Sequence, residues 1–475
     1  MIKSKHKTLI ILKICVLVLI LGCSNDDYVD PLPFNQGVYE EGEELLTGQL
    51  TIKSQSINAF GRAIPGLSNE DQIIFGIGNS LFNQAWVSAP ASTTARDGLG
   101  PTFNSRACSS CHSRDGRGMP LIGQSELGST GFLMRVSLPG SDPNGGPNPL
   151  PNYGTQIQDR ANSGILSEAK VRVRYEIIEG EYSDGGIYNL RKPIYEFFDE
   201  QFGSLTGVLT SPRVGTQTIG MGLIDALDDA SILANADKND VDGDGISGKP
   251  NIVWDAKENT LKLGKYGWKA NQPTLELQVA GAFHGDMGLT TSIFQENDCP
   301  SVQQNCISAP NGGEPEVTDL QLSRVLFYQR TLGVPIRRNF QDQNVLNGKV
   351  LFNNLQCISC HKTNFVAGSS PATPLIEGVT FSPYSDFLLH DMGDALADNR
   401  PDFDANGKEW RTQPLWGIGL IETVNNHTFF LHDGRARNIE EAILWHGGEA
   451  ENSVTQFKNL PKEQREQLIA FINSL

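Results

Sequence analysis

Apolar residues recur at helical spacing near the end of each half of the chain. The spacing predicts a helix over 318–332 and a second helix over 460–475. The sequence Gly-x-x-Leu-Phe, at 78–82 and again at 348–352, predicts an earlier helix in each half. The pattern therefore indicates two tandem, largely helical domains that join near 333–335.

A stretch between these helices follows a different period. Residues 132–138 and 171–178 alternate between apolar and polar, as half-buried strands do, and a Pro/Gly-rich segment over 139–151 separates them. We expect an insertion over about 130–260, with some antiparallel strand, in an otherwise mainly α protein. The 49 glycines and 25 prolines imply many turns and long loops.

The beginning of the chain has the pattern of an export signal. Three lysines precede an apolar run over 9–21, which is broken only by Lys13 and ends in Gly22-Cys23. The run is too short for a typical transmembrane helix. The pattern predicts a lipoprotein signal peptide over 1–22, lipidation of Cys23 and a tether over 23–45. An ordinary signal peptide with an incidental cysteine is the alternative.

The charge limits the partners of the exported protein. Loss of residues 1–22 changes the net charge from −17 to −21, because that segment holds four lysines and no acidic residue. A strongly acidic surface argues against nucleic acid and anionic lipid, and it suits a basic protein partner. We expect the protein in the cell envelope, held to a membrane by its lipid alone, on the periplasmic side or at the cell surface.

Four cysteines form two Cys-x-x-Cys-His motifs, at 108–112 and 357–361. This is the attachment signature of a c-type haem: two thiols one helical turn apart bind the vinyl groups, and the histidine binds the iron. A thioredoxin-like redox pair or half a zinc site would not need the histidine. The motifs predict two covalent haems held by the following residues: Cys108, Cys111, His112, Cys357, Cys360 and His361.

The remaining cysteine pair, Cys299 and Cys306, flanks a short polar loop. In an oxidising envelope we expect a local disulfide between them.

One acidic segment is independent of the haem motifs. Asp240, Asp242 and Asp244 alternate ahead of Gly245, as in the first part of a calcium-binding loop. The twelfth position is Asn251 rather than an acid, so the match is partial. The segment predicts a possible calcium site, and an ordinary solvated acidic turn is the alternative.

Three local patterns accompany the haem motifs. They are Phe-Leu-His-Asp-Gly-Arg-Ala at 430–436, Trp268 followed by Leu-Glu and Gln278, and Gln-Val-Ala-Gly-Ala-Phe-His-Gly-Asp-Met-Gly at 278–288. With them, nearly all of the mature chain resembles the bacterial dihaem cytochrome c peroxidases and the dihaem enzyme that matures methylamine dehydrogenase. Within that superfamily it looks like the dihaem oxidoreductase branch. The resemblance implies two cytochrome c-like haem domains, over 46–335 and 336–475.

The resemblance also implies a ligand for the second iron. In the related enzymes the residue fourteen positions after the histidine that corresponds to His432 is the distal ligand, usually Met, and Tyr in the maturation enzyme. Here that position is His446, which implies a bis-histidine site with His361. A capping histidine beside Gly447 is the alternative.

Further roles follow from the same resemblance. Trp268 corresponds to the tryptophan that helps electrons pass between the haems, although a core tryptophan is the alternative. Asp286 corresponds to the distal acid-base group over the first haem, but it is two positions early and one methylene shorter. His284 is the rival for that role, and Gln278 begins the motif.

The expected function is that of a peroxidase. Hydrogen peroxide would react at the first haem, with electrons relayed from the second haem and supplied by a small cytochrome or another redox protein. The sequence holds no histidine between His112 and His284, so we expect the first iron to be five-coordinate or water-bound; ligation by Met119 or Met134 is the alternative. Two alternatives remain, namely a dihaem electron carrier and a dihaem oxidase that acts on a protein partner.

Overall fold

Strands are a substantial part of the computed structural model, which describes residues 36–122 and 131–475. Helices make up 28% and strands 19%, and the strands form many small sheets. The predicted mainly α fold, with two cytochrome c-like domains, is therefore wrong.

The helices surround the two haem motifs and close the chain. They are α1 (Asn69–Asn83), α2 (Cys108–Cys111), α3 (Met221–Asp225), α4 (Asp229–Leu233), α5 (Leu275–Met287), α6 (Gln304–Ile307), α7 (Asp319–Arg330), α8 (Gln343–Asn354), α9 (Cys357–Cys360), α10 (Ile421–Asn425), α11 (Ile439–Leu444), α12 (Glu451–Asn459) and α13 (Lys462–Ser474).

The strands pair locally and antiparallel. They are β1 (Thr102–Phe103), β2 (Phe132–Ser141), β3 (Pro147–Asn148), β4 (Arg160–Ala161), β5 (Lys170–Glu181), β6 (Ile187–Phe198), β7 (Leu209–Val214), β8 (Ile252–Asp255), β9 (Thr260–Leu263), β10 (Phe365–Val366), β11 (Thr380–Phe381), β12 (Leu389–Asp391) and β13 (Glu409–Arg411). Strand β2 lies between β3 and β7, and the other sheets are two-stranded pairs: β1–β4, β5–β6, β8–β9, β10–β11 and β12–β13.

Length explains which strands could be foreseen. The alternation at 132–138 and 171–178 correctly predicted β2 and β5, which are long enough to show a period of two. The strands of the second half, β10 to β13, have two or three residues each. So short a strand has no detectable period, and therefore the helical motifs alone determined the prediction.

Both predicted helix pairs are present, and each pair is held by a glycine. Helix α1 packs on α7, and α8 packs on α13. A Cβ on Gly78 would lie 2.2 Å from the carbonyl oxygen of Arg324, and a Cβ on Gly348 would lie 2.0 Å from that of Gln467. The glycines therefore allow the close backbone approach in each pair.

The insertion reaches across to the second half of the chain. The hairpin of β5 and β6 pairs twelve residues on each side, from Lys170 with Phe198 to Glu181 with Ile187. At its tip the hydroxyl of Tyr182 donates to Glu440 at 2.7 Å, and Asp184 forms an ion pair with Arg465 at 3.0 Å. The hairpin thus ties the two halves together.

The described part of the chain, from Gln36 onward, forms one compact unit. A domain boundary at 335/336 stays a prediction. The signal peptide, Cys23 and the tether up to residue 35 lie outside the described residues. Within the ranges described, no helix combines the length and apolar character needed to cross a membrane.

The glycine contact gives a stability prediction with a control in the same helix. Gly78→Ala should lower the free energy of unfolding by roughly 1–3 kcal/mol, as overpacking does. Gly76 also lies in α1, but a Cβ there would meet nothing within 4 Å. Gly76→Ala should therefore be neutral or stabilise by up to about 1 kcal/mol through helix propensity. Denaturant unfolding of the haem-loaded protein measures both, and equal effects would contradict the packing role.

Candidate haem sites

The first motif is a single helical turn followed by an oriented histidine. Helix α2 spans Cys108–Cys111, and the backbone N–H of His112 donates to the carbonyl of Cys108 at 2.9 Å. The Nδ1 atom of His112 lies 2.6 Å from the carbonyl oxygen of Thr216. Phe82 lies beside the imidazole, with 6.4 Å between ring centroids.

The second motif repeats this arrangement. Helix α9 spans Cys357–Cys360, and the N–H of His361 donates to Cys357 at 3.0 Å. Its Nδ1 atom lies 2.8 Å from the carbonyl oxygen of Tyr384, and Phe352 lies 6.0 Å from its ring. In both motifs the carbonyl fixes the ring and leaves Nε2 for a metal, which is the arrangement an axial haem ligand needs. The residues therefore fit haem.

Burial sets the protonation of these groups. Burial lowers the pKa of His112, and it lowers that of His361 to about 4, so both rings are neutral. Burial also raises the pKa of Cys108, Cys111 and Cys357 to about 12. Thioredoxin-type redox chemistry favours a thiolate of low pKa, so this environment does not favour that alternative.

Asp286 lies near the first motif in a polar environment. Burial raises its pKa, whereas the charge of Arg135, a hydrogen bond from Gln156 and the proximity of His112 act in the opposite direction. The Nε2 atom of Gln156 donates to the carboxylate at 2.9 Å and contacts Asn104 Oδ1 at 2.6 Å. Nearby charges and hydrogen bonds of this kind tune a carboxyl group for proton transfer.

The structure separates the two rivals for the acid-base role. His284 precedes Asp286 by two residues on α5, so the two side chains leave the helix on different sides. The Nε2 atom of His284 lies 2.9 Å from the carbonyl oxygen of Glu296, and its ring stacks on Phe294. Gln278 lies on the Asp286 face, two turns earlier, at a rise of about 12 Å.

His446 follows α11 and lies near the second motif. Its Nδ1 atom is 2.6 Å from the carbonyl oxygen of Ala442, and burial lowers its pKa. Its proximity contributes to the low pKa of His361, so the two rings are neighbours. His446 also lines a cleft of about 420 Å³ with apolar walls that include Ile178, Met392 and Trp445.

A second buried histidine lies beside Cys360, with the opposite charge state. His390 has Nε2 at 2.8 Å from Asp386 and Nδ1 at 2.6 Å from Glu449. Burial disfavours its charge, but Asp386 and other partners raise its pKa well above the ordinary value. Its Nδ1 is also 3.6 Å from the sulfur of Cys360. The second site therefore has a fixed imidazolium at its edge.

A hydrogen bond to a segment next to the first motif holds Trp268 in place. Its Nε1 donates to the carbonyl of Val214 at 2.8 Å, two residues from Thr216, which holds His112. The guanidinium of Arg117 lies 5.3 Å from the centre of its ring.

Cys299 and Cys306 form a disulfide, which closes a loop with a sequence separation of 7.

The acidic loop is arranged differently from the sequence match. Carboxylate oxygens of Asp237, Asp240 and Asp242 lie within 4.8 Å of one another. Asp244 instead accepts a hydrogen bond from the N–H of Ile246 at 2.8 Å. Asn251 points inward and donates to the carbonyl of Lys269 at 2.7 Å. The third carboxylate of the group is therefore that of Asp237 and not that of Asp244. Calcium binding stays a prediction.

Three residues near the first site had no sequence signal. Asn104, Arg135 and Gln156 belong to no recognisable motif, and two of them lie in the insertion. An isolated bridge places Arg135 opposite Gln156, which brings both side chains to Asp286. Such a contact between distant segments is set by the fold alone.

Two pairs of thiols, each with a fixed histidine, define this chain as a protein with two haem sites. A family model described as "Di-haem oxidoreductase, putative peroxidase" matches residues 44–475, and the chain belongs to this family. It is therefore a dihaem oxidoreductase. No curated protein and no solved structure matched the chain.

A buried glutamate near α5 gives a prediction about how stability depends on pH. Glu168 is fully buried and accepts from the N–H of Gln158, whose side chain in turn donates to the carbonyl of Gly285. Burial raises the pKa of Glu168 from 4.5 to about 8. The folded state therefore binds this proton more tightly than the unfolded state, so this group lowers stability progressively as pH rises from 4.5 to about 8.

Glu168→Gln removes this ionisation and keeps a carbonyl acceptor. Its unfolding midpoint in urea should change less than that of the wild type between pH 5 and 8. Identical pH dependence in the two proteins would show that Glu168 does not contribute.

Proposed function

We propose that this dihaem oxidoreductase is an exported peroxidase that reduces hydrogen peroxide. In this proposal Cys108 and Cys111 hold the first haem and Cys357 and Cys360 the second, all by thioether bonds. His112 and His361 would bind the two irons. The observation that carries the proposal is the position of Asp286, a half-buried carboxyl group near His112 with Arg135 and Gln156 beside it.

A haem with an accessible iron supplies the two-electron cleavage of the O–O bond. The chain moves the proton between the two peroxide oxygens. Asp286 accepts the proton from one peroxide oxygen and returns it to the other, so that the departing oxygen leaves as water. Gln156 fixes the carboxylate, and the positive charge of Arg135 favours its ionised form, which is the form that accepts a proton.

The second site has the ligands of an electron-transfer haem. His361 and His446 would occupy both axial positions, which leaves no open position for peroxide. A His in place of Met lowers the reduction potential, because the thioether favours ferrous iron. Electrons would then pass from the second haem toward the first, by way of Trp268.

The proposed setting follows from the sequence. A lipid on Cys23 would hold the protein in the cell envelope, and its acidic charge suits a small basic cytochrome or another basic redox protein as the electron donor. A dihaem electron carrier and an oxidase of a protein partner are the competing functions.

Replacement of Asp286 tests the peroxidase and its acid together. Haem-loaded protein from residue 24 onward, supplied with a reduced small basic cytochrome, should turn over peroxide. Asp286→Asn should lower kcat/KM by about 10²–10⁴, the usual cost of losing an acid-base group. His284→Gln should have little effect, because its ring points to Glu296.

The outcomes separate the competing functions. Turnover that survives Asp286→Asn and collapses in His284→Gln would transfer the acid-base role to His284. If the wild type does not turn over peroxide even after partial reduction, the peroxidase proposal is wrong and the protein is an electron carrier or a protein oxidase.

Replacement of His446 tests the ligand of the second iron. In His446→Ala, electron paramagnetic resonance should show one haem changing from low spin to high spin, and mass spectrometry should still find two covalent haems. His427 is a suitable control, because it is a buried histidine whose Nε2 lies 3.2 Å from the carbonyl oxygen of Arg117. An unchanged spectrum in His446→Ala would exclude it as a ligand.

A further inference from the structure

Two buried aromatic rings lie face to face between the two haem motifs. The imidazole of His432 and the indole of Trp410 have centroids 3.9 Å apart and an interplanar angle of 13°. Trp268 also lies beside His432, with 6.4 Å between the ring centroids and an interplanar angle of 78°. Trp268, His432 and Trp410 therefore form a contiguous aromatic group, which we call the stack.

One end of the stack is bonded to the first motif. The indole Nε1 of Trp268 donates to the carbonyl of Val214, and the carbonyl of Thr216 holds the ring of His112. The backbone N–H of Val214 also donates to the carbonyl of His432 at 2.7 Å. Between the stack and His112 there are thus two hydrogen bonds and a short run of backbone.

The other end reaches the second motif. Trp410 on β13 is the direct cross-strand partner of His390 on β12. Directly opposite side chains in an antiparallel pair lie on the same face, about 4.5–5.5 Å apart at Cβ. His390 in turn lies 3.6 Å from the sulfur of Cys360. A continuous chain of contacts therefore joins Cys360 to His112.

We propose that His432 and Trp410, together with Trp268, form the electron bridge between the two haems. This inference rests on the proposed function and extends its relay beyond Trp268. One electron leaves the second haem, which is oxidised by one unit, and arrives at the first, which is reduced by one unit. The three rings end the transfer unchanged, and no proton moves along them.

The charges around the stack favour a bridge over a store of oxidising equivalents. The ammonium of Lys269 lies 4.6 Å from the centre of the Trp410 ring, and Arg117 lies 5.3 Å from that of Trp268. Lys269 is fully buried and held by an ion pair with Asp398 at 2.7 Å. A fixed cation over an indole face disfavours removal of an electron from that ring, since the resulting radical cation would be repelled.

The test compares two buried tryptophans by pulse radiolysis of the oxidised, haem-loaded protein. Absorbance follows the redistribution of one electron between the haems, which does not require peroxide turnover. Trp410→Leu should slow this step by about tenfold or more, whereas Trp410→Phe keeps an aromatic ring on His432 and should retain most of the rate. Trp416→Leu is the matched control, because Trp416 is also buried but lies outside the stack.

Redox titration of each variant should give unchanged potentials for both haems, so that the driving force is constant. Equal electron-transfer rates in Trp410→Leu and the wild type would overturn the bridge. After addition of peroxide, a tryptophan radical in the wild type would contradict the role of the two cations. A protein that shows the Trp410 dependence but no peroxide turnover would refute the peroxidase and leave the bridge in place.

Discussion

Three alternate carbonyl groups along one extended segment hold the rings on which the proposed chemistry depends. The carbonyls of Pro212, Val214 and Thr216 bond to His432, Trp268 and His112, at 2.9, 2.8 and 2.6 Å. Alternate carbonyls of an extended chain point the same way, so a single strand end sets the orientation of all three rings. A shift of β7 by one residue would point these carbonyls away from all three rings at once.

This constraint gives the insertion a central place in the protein. Strand β7 pairs with β2, which carries Arg135, and the bridge from Arg135 to Gln156 completes the environment of Asp286. The β5–β6 hairpin then fixes the turn that carries His432, because Arg191 donates to the carbonyl groups of Gly434 and Arg435. The sequence marks this segment as an insertion. It nevertheless positions the residues around Asp286 and the turn that carries His432.

The sequence could predict what is encoded locally. The two Cys-x-x-Cys-His turns, the helices that surround them and the long strands β2 and β5 follow from spacing over a few residues. The sheets of the second half could not be predicted, because strands of two or three residues carry no period. Gln156 and Trp410 were missed for a different reason. Gln156 lies 130 residues from Asp286, and Trp410 contacts His432 from another segment of the chain, so no local pattern records either proximity.

Two opposing effects set the protonation of the histidines. Burial favours the neutral ring, and a neighbouring carboxylate favours the charged ring. Neutral imidazole is the form that binds a metal. His112, His361 and His446 combine a lowered pKa with an Nδ1 held by a carbonyl.

His390 is more deeply buried than these three, yet Asp386 and Glu449 occupy both of its nitrogens and keep it charged. It therefore cannot serve as a ligand, and its positive charge lies next to Cys360 instead. A cation close to a haem favours the reduced state of the iron, which offsets part of the lowering expected from bis-histidine ligation. With the proposed ligands His361 and His446, the second site would combine a ligand pair that favours ferric iron with a buried charge that opposes it.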